Sequence, residues 1–161
     1  MRPGRSGYLI PQEPEFRLDF LTPLHRNATE PYVHPQLNVT LQPLPYMEFS
    51  LEQVEQTVLI STEGAVLVNV PSPERYALHK LLVHGVREGA FRAQAAKDLA
   101  QAACLLEYLG VHRPEALQAA LDDMLSRGKG WVTQLRKGTR ALAVAYPALP
   151  EAVKLVQATT R

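Results

Sequence analysis

The hydrophobic pattern of this 161-residue chain changes period once, at Ser72-Pro73, and that change decides what each part can fold into. Before it, apolar residues come in short β-rich runs broken by Pro, Gly, Thr and Glu. After it, they recur at helical spacing. Tyr8-Leu9-Ile10 and Phe16-Arg17-Leu18-Asp19-Phe20-Leu21 flank Pro11-Gln12-Glu13-Pro14-Glu15, a hairpin connection. On a strand, Phe16, Leu18 and Phe20 take one face and Arg17, Asp19 and Leu21 the other. Residues 22–35 hold three prolines and little periodicity, which predicts a surface loop. Val54 to Ser61 and Ala65 to Val70 give a second hairpin signal across Thr62-Glu63-Gly64. The nearly continuous apolar run Ala65-Val66-Leu67-Val68 predicts a buried strand.

Ser72 is placed to cap a helix, with Pro73 at the first helical position, where its missing N–H costs nothing. Ala77, Leu78, Leu81 and Leu82 give that helix its apolar face, and Gly89 is its expected stop. A second helix is expected from about Phe91 to Leu109, ended by Gly110. A third opens at Pro114 and runs to about Ser126, a fourth covers Trp131 to Ala145, and a short fifth follows Pro150. The expected fold is α+β: a small antiparallel β region over residues 1–70, then a C-terminal helical lobe over 71–161. There is no internal repeat.

Nothing approaches eighteen consecutive apolar residues, and no apolar run follows the basic N-terminus, so a membrane span and a signal peptide are both unexpected. One cysteine cannot build an internal disulfide, and Cys104, within Ala102-Ala103-Cys104-Leu105-Leu106, reads as a buried structural thiol. The expectation is a soluble, cytoplasmic protein. The net charge of +1 hides an asymmetry. From residue 125 onward seven Lys and Arg stand against Glu151 alone, which leaves −5 on residues 1–124.

Three groups of residues are candidates for chemistry. Asp19 is a lone carboxylate in an apolar strand, a costly placement unless it is paired or binds a metal. Tyr76, Lys80, His84 and Arg87 share one face of the first long helix, and clustered Lys and Arg suit phosphate oxygens. The bland reading is an ordinary solvated face. Lys129, Arg136, Lys137 and Arg140 fall along one side of the fourth helix. That side is either a solvated face or a contact for RNA or DNA phosphates, with Trp131 a packing residue or a base-stacking one. The histidines lack the spacing of a zinc site.

Pro71-Ser72-Pro73-Glu74-Arg75-Tyr76-Ala77-Leu78-His79-Lys80-Leu81, followed by Lys97-Asp98-Leu99-Ala100-Gln101, resembles a family of bacterial nucleotidyltransferases within the DNA polymerase β-like superfamily. The run Asp19-Phe20-Leu21-Thr22-Pro23 resembles the family's strand bearing its third metal carboxylate. The resemblance covers roughly residues 7–109. It implies transfer of a nucleotidyl group from an NTP to an acceptor hydroxyl, assisted by two divalent ions, Mg²⁺ or Mn²⁺, held by three carboxylates. By that resemblance Asp19 matches a catalytic metal ligand, and Lys80, Arg87 and Lys97 are candidates for triphosphate contacts. The family takes its other two carboxylates from an Asp-x-Asp pair after a Gly-Ser turn, and this sequence has no Asp-x-Asp. The chain is therefore expected to be the C-terminal part of such an enzyme, completed by a preceding segment or a partner protein. The alternatives are a catalytically inactive nucleotidyltransferase-like binding module and an interaction module.

Overall fold

The structure is a computed structural model that describes residues 7–10, 12–24, 30–87 and 92–160. The fold is α+β, and the chain divides into two compact units, Met1–Glu48 and Phe49–Arg161. In the first unit, β1 (Gly7–Ile10) and β2 (Glu13–Asp19) form the expected antiparallel hairpin, with Gly7 opposite Asp19. The segment expected to be a loop contributes two short strands, β3 (Leu21–Pro23) and β4 (Tyr32–His34). Both lie at the edges of a sheet centred on β5 (Val39–Leu44), which is parallel to β3 and antiparallel to β4. Edge positions explain how strands persist among prolines, because an outward-facing edge needs no N–H. Pro43 obeys the same rule: β4 pairs β5 only at Val39–Leu41, so Pro43 has a neighbour on one side. Proline density alone does not exclude strands, because it carries no information on which strands are edges.

A short helix α1 (Met47–Leu51) leads to the hairpin of β6 (Val54–Ser61) and β7 (Gly64–Pro71), paired without slip from Val54↔Pro71 to Ser61↔Gly64. The hairpin was expected, but not its exposure. Leu59, Ile60 and Leu67 are 62%, 77% and 65% exposed. Cross-strand partners share a face. Val58–Leu67 and Ile60–Ala65 make one side apolar, and Leu59–Val66 the other.

The helices follow: α2 (Pro73–Val86), α3 (Arg92–His112), α4 (Pro114–Ser126), α5 (Lys129–Ala145) and α6 (Pro150–Thr160). Ser72 and Pro73 stand at the N-cap and first helical positions as expected. The expected stop of α2 at Gly89 lies outside the described residues; Val86 is the last helical residue and Arg87 the C-cap. α3 passes through Gly110 and ends before Arg113-Pro114, where proline forbids continuation. Gly110 serves a close approach instead: a Cβ there would collide with the Glu151 side chain of α6. Phe49, Leu78, Leu81, Leu82, Leu106, Leu109, Met124, Leu135 and Leu142 are fully buried and form the core. Cys104 corrects the expectation of a buried thiol: it is exposed on α3.

The tightest packing is between α2 and α5. Gly85 of α2 faces the backbone of Gln134, and Gly138 of α5 faces the backbone of Leu81; a Cβ on either glycine would lie closer than 3.0 Å to that backbone. The two contacts are reciprocal and each is four residues along, one helical turn. Among the described residues, no helix is long and apolar enough to cross a membrane.

Candidate functional site

The shared face of Tyr76, Lys80, His84 and Arg87 points onto α3 and meets a carboxylate. Lys80 Nζ lies 3.2 Å from Asp98 Oδ1, and Arg87 Nε donates to Asp98 Oδ2 at 2.7 Å. Asp98 is fully buried, while the side chains of Lys80 and Arg87 are 16% and 26% exposed. Lys80 Nζ also sits 4.8 Å from the centre of the Tyr76 ring. His84 Nδ1 is 3.2 Å from the Ala95 carbonyl oxygen, a pairing in which the ring nitrogen carries the proton. The result is two cations over one carboxylate, a net charge of +1 at a partly open surface. Asp98 faces inward and the cations lie between it and solvent. Lys97, its neighbour in sequence, is exposed and outside this cluster.

Asp98 is the residue that sequence reasoning passed over, although it stands inside the Lys97-Asp98-Leu99 motif. A signal did exist. In an antiparallel helix pair, residues equally far from the turn face each other, and Lys80 and Asp98 each lie nine residues from Gly89.

A second ionic group ties the start of α2 to α4. Arg75, 7% exposed, donates through Nε to Gln53 Oε1 (3.1 Å), through Nη1 to the Phe49 carbonyl (3.0 Å) and Glu52 Oε2 (3.1 Å), and through Nη2 to Asp123 Oδ2 (2.6 Å). Arg127 contacts the same two carboxylates, through Nε to Asp123 Oδ1 (3.1 Å) and Nη1 to Glu52 Oε1 (3.0 Å), with Nη2 shared between them. The two guanidinium groups lie 4.5 Å and 5.1 Å from the centre of the Phe49 ring, which meets Trp131 edge-on. Trp131 is thus a packing residue. Hydrogen bonds from Arg127 hold the Glu52 and Asp123 carboxyls below their usual range, and Arg75 adds to the effect; both also raise the affinity of Arg127 for its proton.

Groups whose folded pKa is depressed contribute stability that is fully present above the unfolded value, about 4 for a carboxylate, and lost as pH falls through the folded value. The chain is therefore expected to lose thermal stability progressively below about pH 4. Melting curves of the chain and of Asp123→Asn should converge as pH falls across that window. A gap between them that stays constant would show that Asp123 contributes no charge-dependent stability.

Of the basic residues on α5, Lys129, Lys137 and Arg140 are exposed. Arg136 is half-buried and its Nε donates to the Thr159 carbonyl (2.6 Å), closing the C-terminal end of α6. Asp19 ends β2 and is exposed, in the first unit. Among the described residues, no three His, Cys, Asp or Glu side chains cluster to hold a metal ion. The described residues therefore do not fit a two-ion centre: Asp19 offers one carboxylate, and Asp98 is already engaged by two cations.

Neither a curated protein nor a solved structure matches the chain. A nucleotidyltransferase family profile does, over residues 3–126. That span takes in β2 with Asp19, α2 with Lys80 and Arg87, and α3 with Asp98. The chain belongs to this family of nucleotidyltransferases.

Proposed function

We propose that this chain serves nucleotidyl transfer by holding the polyphosphate of an NTP, with Lys80 and Arg87 as the paired phosphate contacts. One observation carries the reading: both cations converge on a single buried carboxylate and keep a net positive charge at a partly open surface. An isolated solvated face needs no such anchor. Arg suits two phosphate oxygens at once and Lys acts as a point charge, so the pair grips a polyphosphate without burying it. In the reaction, an acceptor hydroxyl gives up its proton to solvent as its oxygen bonds to the α-phosphorus, the bond from that phosphorus to the bridging oxygen breaks, and pyrophosphate leaves with that oxygen. Cations beside the departing phosphates stabilise the charge that builds there. Lys97 extends the positive field along α3. Asp19 offers one carboxylate to Mg²⁺ or Mn²⁺, and a two-ion centre needs companion carboxylates beyond those described. Lys129, Lys137 and Arg140 offer a surface for the phosphates of an RNA or DNA acceptor.

The test is a calorimetric titration of ATP into the 161-residue chain at low and high salt, with a labelled-NTP transfer assay alongside. Weak binding that fades with salt and drops at least about tenfold in Lys80→Ala and in Arg87→Ala is the expected result. No binding at low salt, or unchanged affinity in both variants, overturns the phosphate site. No labelled product above a blank is expected from this chain, because one carboxylate cannot hold two divalent ions; robust transfer would overturn the need for companion carboxylates.

A further inference from the structure

The start of α2 carries chemistry that phosphate binding leaves unused. A cleft of about 670 Å³ opens between the link from α1 to β6, the first turn of α2 and the flank of α4. Among the side chains lining it that are more than nine-tenths buried, two carry a polar atom without a hydrogen-bond partner: Ser72, 5% exposed, and Glu74, 3%. A serine at the N-cap ordinarily accepts from a backbone N–H of the first turn. Ser72 makes no such bond, and its Oγ has no hydrogen-bond partner. Glu74 Oε1 has none either; Arg113 Nε lies 2.7 Å away, at ion-pair distance but off the hydrogen-bonding direction. Buried polar atoms left in this state cost free energy until something satisfies them.

Arg113 shows which chemistry the cleft receives. Its guanidinium, on a side chain 40% exposed, sits between two carboxylates, donating through Nη2 to Glu55 Oε1 at 3.0 Å and facing Glu74. The bond to Glu55, with the charge of Glu74 behind it, strengthens the hold of Arg113 on its proton. Two carboxylates on one cation leave a net negative charge. Glu52 and Arg75, which also border the cleft, are committed to Asp123, Arg127 and each other. The α4 wall is Ala116, Ala119 and Ala120, which offer room and apolar surface but no functional group.

We propose that this cleft binds a small organic cation, an amine or guanidinium on a short aliphatic chain. Its N–H groups donate to Glu74 Oε1 and Ser72 Oγ, and its methylenes lie on the alanine wall. Arg113 is then the resident occupant of part of the same site, and an incoming cation moves it towards Glu55 and solvent. Charge distinguishes this ligand from water, which could satisfy Ser72 but would leave the negative balance untouched. The inference stands apart from the phosphate site, since it uses none of the same side chains.

Putrescine is the probe, and 1,4-butanediol is its neutral counterpart of equal length. Each is titrated into the 161-residue chain by NMR, with circular dichroism confirming the fold of every variant. Putrescine is expected to bind weakly to the unaltered chain and about tenfold more tightly to Arg113→Ala, where the internal competitor is gone. Glu74→Gln and Ser72→Ala should each weaken it, Glu74→Gln by about tenfold or more because a charged acceptor is lost. Butanediol should not bind. Equal binding of diol and diamine, or no binding of putrescine to Arg113→Ala, overturns the proposal. Should Glu74→Gln fail to fold, the Arg113→Ala comparison still decides, because that side chain is partly exposed and lies outside the core.

Discussion

Asp98→Ala is expected to destabilise the helical unit by about 3–5 kcal/mol, the cost of removing one partner from a buried ion pair. Without the carboxylate, Lys80 and Arg87 are left side by side, partly buried, with no shared anion between them. Urea unfolding followed by circular dichroism measures the loss. The informative companion is the triple variant Lys80→Met, Arg87→Met, Asp98→Leu. Apolar side chains of similar volume often replace a buried ionic group at no cost or with a gain, so the triple variant should recover most of what Asp98→Ala loses. That pattern would mean the cluster is not kept for stability. A loss below about 1 kcal/mol in Asp98→Ala would instead mark the three residues as a solvated surface group.

Gly138→Ala is expected to destabilise by about 1–3 kcal/mol, although alanine is the better helix former by about 1 kcal/mol. The added Cβ would press on the carbonyl group of Leu81 and force α2 and α5 apart. Leu81 and Leu82 are fully buried at that contact, so separation opens the core as well. Gly130→Ala is the control. It lies in the first turn of the same helix with nothing within 4 Å of the new Cβ, and the same substitution there should stabilise slightly. Thermal melts of the two variants should move in opposite directions. Equal shifts would mean that helix propensity, not interhelical contact, governs both sites.

The parts of this fold that could be read in advance are those written in local pattern. Ser72-Pro73 announced a helix because a proline at the first helical position is preset for the helical φ and needs no N–H there, although the Ser72 side chain makes no capping bond. The β6–β7 hairpin followed from a turn between two β-rich runs. The common face of Tyr76, Lys80, His84 and Arg87 followed from helical period alone. What escaped depends on which distant surfaces meet. Period places Lys80 and Arg87 on one face but does not say that Asp98 lies beneath them. Gly85 and Gly138 look like weak points within helices until the opposing backbone is known. Arg136 reads as one more surface cation, yet its guanidinium closes α6. Continuous apolar character in Ala65 to Val68 predicts burial in a larger sheet, but in a two-stranded hairpin it means only that both faces are apolar.

That last feature bears on how the chain behaves in a crowded solution. Thr57 to Ile60 and Ala65 to Val68 contain neither charge nor proline, and no third strand pairs with β6 or β7 among the described residues. Short β-prone segments of this kind are where like chains stack into intermolecular sheets. The protection in this hairpin is confined to its ends. Glu55 and Glu63 bracket the first segment with like charges that repel an in-register neighbour, and Pro71 closes the second by denying a backbone donor. Glu63 and Pro71 are placed as gatekeepers of the two segments, a role that Glu55 shares only when its bond to Arg113 opens.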